Sequence, residues 1–240
     1  MPSPSNRDGE EIVKLREELA RQREETAELR GRFAALSSEI QRKKIESFAE
    51  LAEQDNEAKK VLLRLAQETK PAKIQGVNIA LFGLTSTGKS TMLNALLGKK
   101  NTDPDAAQTG VGETTQKITA YAGTGFTLWD VPGRNDEVSY LSMEYVSFFK
   151  GLTRRLILIT ATVKENSSMM KLLDELGLKY SIVFNKFDKV DEDEQSSVKE
   201  QIHKEIKDLG LKHVDKVYFV SAKNVKMFDD WRKMVDDCTN

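Results

Sequence analysis

Cysteine is nearly absent from this sequence, which contains only Cys238, close to its end. One cysteine cannot form a disulfide within the chain, so a disulfide-stabilised secreted fold is excluded and a reducing compartment is expected. No apolar run approaches the roughly 18 residues that cross a bilayer, and the start Met1-Pro2-Ser3 fits neither a signal peptide nor a myristoylation site. We therefore expect a cytoplasmic protein without a transmembrane segment, and the sequence leaves peripheral membrane contact open.

An excess of charge of either sign is also missing. The 37 basic residues are balanced by 38 acidic residues, which gives a net charge of −1. This balance opposes a broad nucleic-acid or anionic-membrane footprint, so we predict no nucleic-acid partner. The 240 residues have room for one domain of ordinary size and an appendage.

Proline is absent between about Glu10 and Glu68, where Gly31 is the only glycine. The stretch is rich in Glu, Arg, Lys, Gln, Ala and Leu, which is typical of a long helix. An apolar seam recurs every seven residues, as in a coiled coil; its positions are Ile12, Leu19, Thr26, Phe33 and Ile40, with Leu15, Gln22, Leu29, Leu36 and Lys43. The phase slips by one after Ile40, so the second part is expected to pack differently. Two interpretations stay open: an arm for self-association or partner capture, and an amphipathic helix folded back on its own domain.

Beyond Pro71 the pattern changes to short apolar strands separated by helices. We therefore predict an N-terminal helical segment over residues 1–70 and a globular domain over 71–240. The alternation predicts an α/β fold with a mostly parallel six-stranded sheet flanked by helices. The predicted strands are Val77–Phe82, Gln116–Ala122, Phe126–Val131, Leu156–Thr162, Tyr180–Asn185 and Val217–Ser221. The predicted helices are Lys89–Leu97, Val138–Lys150, Ser167–Leu176, Glu194–Leu209 and Met227–Asp236.

A phosphate-binding pattern follows the first predicted strand directly. The residues Gly83-Leu84-Thr85-Ser86-Thr87-Gly88-Lys89-Ser90 contain two glycines, then Lys and Ser, in the spacing of a P-loop. Glycines let backbone N–H groups surround a phosphate, and the next helix adds the positive end of its dipole. Lys89 would reach the terminal phosphates and Ser90 would ligate Mg²⁺. The loop residues predicted to bind nucleotide are Gly83, Ser86, Thr87, Gly88, Lys89, Ser90 and Thr91; the alternative is an ordinary strand-to-helix turn.

A second motif, Asp130-Val131-Pro132-Gly133, closes the third predicted strand. It has the form of the second metal-binding element of phosphate-loop enzymes. Asp130 would hold Mg²⁺ through water, and the Gly133 N–H would contact the terminal phosphate and sense its loss.

A third motif, Asn185-Lys186-Phe187-Asp188, supplies a choice of base. The Asp188 carboxylate can accept two hydrogen bonds from the N1–H and 2-amino groups of guanine, whereas adenine offers no matching donors. Asn185 would connect this segment to the phosphate loop, and the stem of Lys186 would cover the base. Ser221, Ala222 and Lys223 would back the base, with the Ala222 N–H facing the guanine carbonyl. Asp188 therefore favours GTP and opposes an ATPase.

These four elements together resemble the translation-factor-related GTPases, the broad group that includes Ras and Era, over about Val77 to Asn240. A narrower resemblance, to the immunity-related (interferon-inducible) GTPases, lies in Thr109-Gly110-Val111-Gly112-Glu113-Thr114-Thr115 and Ser168-Met169-Met170-Lys171. It implies Mg²⁺-dependent hydrolysis of GTP to GDP and homodimers or oligomers formed through the nucleotide face. The catalytic residues implied are Lys89, Glu113, Thr115 and Gly133. The metal ligands are Ser90 and Asp130, completed by a switch threonine for which Thr109 and Thr115 are both candidates, favoured over Thr114.

The sequence departs from that family in three ways. Ser86 stands where the family usually has glycine, Asn-Lys-Phe-Asp is closer to the general GTPase form, and the chain ends one helix after Lys223 without the family's large C-terminal helical region. Arg134 also occupies the place of the water-orienting glutamine of Ras-like enzymes, and it cannot act as a base near neutral pH. We therefore expect slow turnover stimulated by self-association or a partner. The rival interpretation is a nucleotide-dependent scaffold that binds GTP or GDP with little hydrolysis.

Overall fold

Six strands of the chain form one sheet. The computed structural model describes residues 4–108, 118–132 and 140–239. The strands are β1 (Val77–Phe82), β2 (Thr119–Ala122), β3 (Phe126–Asp130), β4 (Arg154–Ile159), β5 (Tyr180–Phe184) and β6 (Val214–Phe219). Their order is β2-β3-β1-β4-β5-β6, with β2 antiparallel to β3 and the other neighbours parallel. The predicted mostly parallel sheet of an α/β fold is confirmed.

Eight α-helices lie in the described residues. They are α1 (Pro4–Arg42), α2 (Phe48–Gln54), α3 (Asn56–Glu68), α4 (Lys89–Leu96), α5 (Met143–Gly151), α6 (Ser167–Glu175), α7 (Gln195–Asp208) and α8 (Asp229–Thr239). Alternate residues of β1 face opposite sides, because side chains along a strand alternate. Ile79 and Leu81 pack with α4 and α8, whereas Ala80 and Phe82 belong to the core that α1, α2, α3, α5 and α6 cover. None of the helices in the described ranges combines the length and apolar character that a membrane crossing would require.

The predicted long N-terminal helix is present as α1, and the helical stretch up to Glu68 is interrupted twice, before α2 and before α3. Lys44 adopts a left-handed backbone with φ 55°, and the side chain of Ser47 caps α2 by accepting from the Glu50 N–H at 3.1 Å. Asp55 then caps α3 by accepting from the Ala58 N–H at 3.0 Å. These capping side chains satisfy backbone donors that a new helix leaves unpaired, so each one starts a fresh helix axis.

The second half of α1 folds back on the domain. Phe33, Leu36 and Ile40 are buried in the same core as the sheet residues, whereas residues 11–28 of α1 are exposed. Helix α2 reaches α6, where the Ala49 N–H donates to Ser168 Oγ at 3.1 Å. The folded-back interpretation therefore describes the helical segment from about Leu29 onward.

Two element boundaries differ from the sequence expectation for identifiable reasons. Strand β4 begins at Arg154 instead of Leu156, because the buried Arg155 guanidinium donates to carbonyls of Phe149, Leu152 and Lys179. Hydrogen bonding of this kind allows a charged group to enter a core strand, although burial lowers the pKa of Arg155 to about 10. Helix α5 begins at Met143 and is capped by Ser142; the predicted start at Val138 lies outside the described residues.

Helix α5 is joined to the end of α3 and to the linker that follows it. Lys150 Nζ donates to the carbonyls of Ala66 and Thr69, at 2.8 and 2.7 Å, and so satisfies oxygens that the end of a helix leaves free. The Ala72 N–H donates to the Ser147 carbonyl at 2.8 Å. Because of these bonds, α5 and the C-terminal end of α3 are positioned together.

The Tyr140 side chain connects the end of β3 to α5. Its hydroxyl donates to the Pro132 carbonyl at 2.7 Å. Its buried ring packs on Tyr145 and Phe149, with ring centroids 5.2 and 6.0 Å away. The two residues that flank positions 133–139 are thus held against the same helix.

Candidate nucleotide-binding site

The phosphate loop lies between the end of β1 and the start of α4, at the carboxyl edge of the sheet. Gly88 precedes α4 with a left-handed φ of 94°. A Cβ at this position would lie 2.5 Å from Asn185 Nδ2, so a larger residue would displace the neighbouring segment. Glycine is required here both for the backbone conformation and for the close approach of Asn185.

Ser86 adopts a left-handed backbone, with φ 69°, in the middle of the phosphate loop. Its carbonyl accepts a hydrogen bond from Lys186 Nζ at 2.7 Å. A non-glycine residue in this conformation is strained, because its Cβ approaches the following carbonyl oxygen. Ser86, which stands where the resembled family usually has glycine, therefore adopts a backbone conformation that favours glycine.

Replacing Ser86 with glycine is expected to raise the free energy of unfolding by roughly 0.5–1 kcal/mol, because relief of the left-handed strain exceeds the added freedom of the unfolded chain. Denaturant unfolding without nucleotide measures the change. Ser86→Ala is the matched control, since it removes the hydroxyl and keeps the strain. Equal unfolding free energies for Ser86→Gly and Ser86→Ala would show that no strain is stored at this position.

Lys89 is buried, and its ammonium group contacts the loop itself. Nζ donates to the Gly83 carbonyl at 2.8 Å and to the Leu84 carbonyl at 3.1 Å. Burial lowers the pKa of Lys89, and the nearby Asp130 carboxylate partly opposes that effect. A desolvated cation that is hydrogen-bonded to neutral carbonyls favours an anionic ligand, and phosphate oxygens could replace both acceptors.

Ser90 and Asp130 come together because β1 and β3 are neighbours, with Leu81 in register with Asp130. Ser90 Oγ donates to Asp130 Oδ2 at 3.4 Å, and the Asp130 side chain is buried. A hydroxyl and a carboxylate side by side are the hard oxygen ligands that Mg²⁺ prefers, so this pair fits the expected ion. The other predicted metal and catalytic residues, Thr109, Glu113, Thr115 and Gly133, lie outside the described residues.

Asn185 connects three loops through one buried side chain. Its Nδ2 donates to the Thr87 carbonyl at 2.8 Å, and its Oδ1 accepts from the Ala222 N–H at 3.0 Å. The amide therefore holds the phosphate loop, the segment that begins at Asn185 and the loop after β6 in one arrangement. The Ala222 N–H is predicted from the sequence to face the guanine carbonyl, and in this structure it donates to Asn185 Oδ1.

Asp188 has a neighbour that the sequence analysis missed. Asn224 Nδ2 donates to Asp188 Oδ2 at 3.3 Å, while the Asn224 N–H donates to Ser221 Oγ at 3.1 Å. The turn from Ser221 to Asn224 thus presents an amide donor that orients the carboxylate. The sequence feature that could have indicated Asn224 is its position three residues after Ser221, in the turn that follows the last strand.

A second missed residue, Asn94, lies on α4. Its fully buried amide forms two bonds with the Ala107 backbone: Oδ1 accepts from the N–H at 2.8 Å, and Nδ2 donates to the carbonyl at 3.0 Å. Asn94 therefore fixes the chain just before the predicted switch residue Thr109. The sequence feature that could have indicated this role is the presence of an asparagine on the apolar side of a short helix.

Comparisons with known proteins agree with this geometry. A model of the interferon-inducible GTPase family matches residues 42–234. The T-cell-specific guanine nucleotide triphosphate-binding protein 2 of Mus musculus is 29% identical over 194 residues, covering 73% of this chain and 46% of that protein. A probable GTP-binding protein EngB of Lactobacillus acidophilus is 30% identical over 157 residues, covering 60% of this chain and 78% of that protein. The chain thus spans about half the length of the mouse relative.

A solved structure with a similar fold is that of a probable GTP-binding protein engB. It has a TM-score of 0.45 and 17% sequence identity, and the match covers 68% of this chain and 98% of that one.

Proposed function

Because this chain belongs to the interferon-inducible GTPase family, we propose that it binds GTP with Mg²⁺, hydrolyses it to GDP and couples that cycle to assembly. The observation that carries the proposal is the position of Asn185. Its buried amide bonds to Thr87 of the phosphate loop and to Ala222, and so connects both to the segment that carries Asp188; a guanine nucleotide would contact these parts at its two ends.

Each part of the site has a proposed role. The phosphate loop holds the phosphates through backbone N–H groups, and Lys89 compensates the charge of the terminal phosphates. Asp188, oriented by Asn224, accepts from the N1–H and 2-amino groups of guanine. The remaining nucleotide contacts are proposed for Gly83, Ser86, Thr87, Gly88, Ser90, Thr91, Lys186, Ser221, Ala222, Lys223 and Gly133.

Mg²⁺ would be held by Ser90 and Asp130, with Thr109 or Thr115 completing its ligands. When bound, the ion would compensate negative charge on the phosphates as the terminal phosphoryl group leaves. The buried position of Asp130 next to Ser90 Oγ supports this role, since both oxygens already face each other.

The group that orients the attacking water has to come from elsewhere, because Arg134 follows Gly133 in the sequence. We propose that a second copy supplies it across the nucleotide face, where Glu113 would assist. We also propose a cytoplasmic location, which the single cysteine supports, and the division of the chain at residue 70 stays a prediction.

The experiment is a measurement of phosphate release from GTP over a series of protein concentrations. If copies activate one another, turnover per molecule rises with concentration until the dimer is saturated. Excess chelator in place of Mg²⁺ should abolish release at every concentration, because Ser90 and Asp130 then lack their ion.

A flat, measurable rate would count against self-activation and would point to a separate activating partner. Tight nucleotide binding with no release at any concentration would favour the scaffold interpretation. Arg134 in the place of the usual glutamine is the observation in that rival's favour.

A further inference from the structure

The first part of α1 exposes an apolar stripe that nothing in the described chain covers. Ile12, Leu15 and Leu19 are 50%, 63% and 49% exposed, respectively. They lie three and four residues apart, which places them on one side of the helix. Most of the stability of a helix in a protein comes from packing of its apolar face, so the exposed apolar side favours a partner.

This stripe continues the surface that packs on the domain. Leu29 is partly buried against the core, and Phe33, Leu36 and Ile40 are fully covered by it. Two ion pairs flank the point where α1 meets the domain: Arg32 with Glu68 at 2.6 Å and Arg30 with Glu144 at 3.1 Å. The domain thus acts as the partner of the second half of the seam, and the first half is left for another helix.

The charges beside the stripe identify the partner. In one seam series, Ile12, Leu19 and Thr26 are each preceded by a glutamate: Glu11, Glu18 and Glu25. In the other, Leu15, Gln22 and Leu29 are each followed by an arginine: Arg16, Arg23 and Arg30. One edge of the seam is therefore acidic throughout and the other is basic throughout. Such edge positions set partner choice and orientation in coiled coils.

In a parallel pair of identical helices, each edge residue meets the partner's residue five positions further on. Glu11 then faces Arg16 and Glu18 faces Arg23, in both directions across the pair. In an antiparallel pair, acidic edges meet acidic edges and basic edges meet basic edges. The same chain is thus complementary to itself in one orientation and repulsive in the other.

We infer that residues 11–28 form a parallel, in-register two-stranded coiled coil with a second copy of this chain. The apolar layers are Ile12, Leu15 and Leu19, followed by the polar Gln22 and Thr26, which keep the contact short and reversible. The pair ends where Leu29 enters the domain and where Arg30 is bonded to Glu144.

The two domains need not collide beyond this point. A seam with a repeat of seven residues turns by about 20° per heptad around a straight α-helix. The part of the stripe near Leu36 is therefore rotated by about 60° from the part near Leu15, three heptads earlier. In a two-fold pair this rotation places the two domains on opposite sides of the helices.

The inference rests on the proposed function in one respect: it names a second copy of this chain as the partner in the assembly and gives the orientation of the two helices. The helix contact itself does not depend on nucleotide. Two copies joined by their helices keep two domains in one assembly at a raised effective concentration. A weak helix pair would be enough for this purpose.

Sedimentation of the full chain in GDP over a concentration series tests the contact. Wild-type protein should dimerise, and Leu15→Asp with Leu19→Asp should stay monomeric. The charge variants Glu11→Arg/Glu18→Arg and Arg16→Glu/Arg23→Glu should each dimerise at least about tenfold more weakly, and an equimolar mixture of the two should recover the affinity. Dimers of unchanged affinity in all variants, or a monomeric wild type, would overturn the inference.

Orientation is tested by oxidation of single-cysteine variants in a Cys238→Ser background. Leu15→Cys should form a disulfide-linked dimer, because the two residues occupy one layer of a parallel pair. Glu17→Cys, on the outer side of the helix, is the matched control and should stay reduced. Linkage through Glu17→Cys alone, or no linkage through Leu15→Cys, contradicts a parallel pair.

The experiment is repeated with Lys89→Met in the absence of nucleotide. Dimers that persist there belong to the helix, whatever the nucleotide site does. Loss of dimers in Lys89→Met would assign the contact to the nucleotide face and remove the case for the helix pair. Failure of GTP turnover with intact helix dimers would instead count against the proposed function alone.

Discussion

Asp188→Asn is expected to lower the affinity for GDP by at least about 100-fold. Hydrogen bonds to a charged group contribute roughly 1.5–3 kcal/mol each, and asparagine replaces one carboxylate oxygen with an NH₂ that opposes the guanine 2-amino group. Xanthine carries a carbonyl in that place, so the affinity for xanthosine diphosphate should rise. Titration with the guanine, xanthine and adenine diphosphates measures the change in base preference.

The control for this prediction is Asn224→Ala, which keeps the carboxylate and removes the amide that orients it at 3.3 Å. We expect a loss of only a few-fold for GDP and no gain for xanthosine diphosphate. Unchanged GDP binding by Asp188→Asn, or a preference for ADP in the wild-type protein, would remove Asp188 from the base site.

Lys89→Met should weaken GTP binding by at least about 100-fold and bring turnover below detection, because it removes the one buried cation of the phosphate loop and keeps its stem. Without nucleotide, the free energy of unfolding should change by less than about 1 kcal/mol. The reason is that burial already disfavours the charged amine, so its removal offsets the two lost carbonyl contacts.

Lys233→Ala is the control for charge alone, since that lysine is exposed and pairs with Asp230 on α8. It should leave nucleotide binding unchanged. Calorimetric titration with a non-hydrolysable GTP analogue separates the variants. Binding of the analogue by Lys89→Met at wild-type affinity would contradict the assignment of this loop to the phosphates.

Much of the candidate site could be predicted from the sequence, because its motifs follow buried strands. Parallel strands bring their carboxyl ends to one edge of a sheet, so Ser90 and Asp130 had to meet once β1 and β3 were neighbours. The motifs do not predict the side-chain amides that hold the loops in place. Asn94 and Asn224 act on backbone or carboxylate groups that only the folded chain places within reach.

The element boundaries that differ from the sequence predictions share a cause. The periodicity of apolar residues predicts which side chains are buried. It does not predict where a polar side chain hydrogen-bonds to backbone N–H or carbonyl groups. Ser47 and Asp55 interrupt a sequence with strong helix propensity by capping new helices, and Arg155 enters a core strand because carbonyls surround its guanidinium. These local hydrogen bonds decide where an element begins.

The bond between Tyr140 and Pro132 has a consequence for how this protein can change over evolution. It holds Pro132 and Tyr140, the residues on either side of positions 133–139, beside α5, so the length of the intervening sequence can change without moving the elements around it. The entropy of closing a loop grows slowly with its length, by about 0.6 kcal/mol for each doubling. Changes in the length of the connection between these two residues are therefore expected to cost little stability.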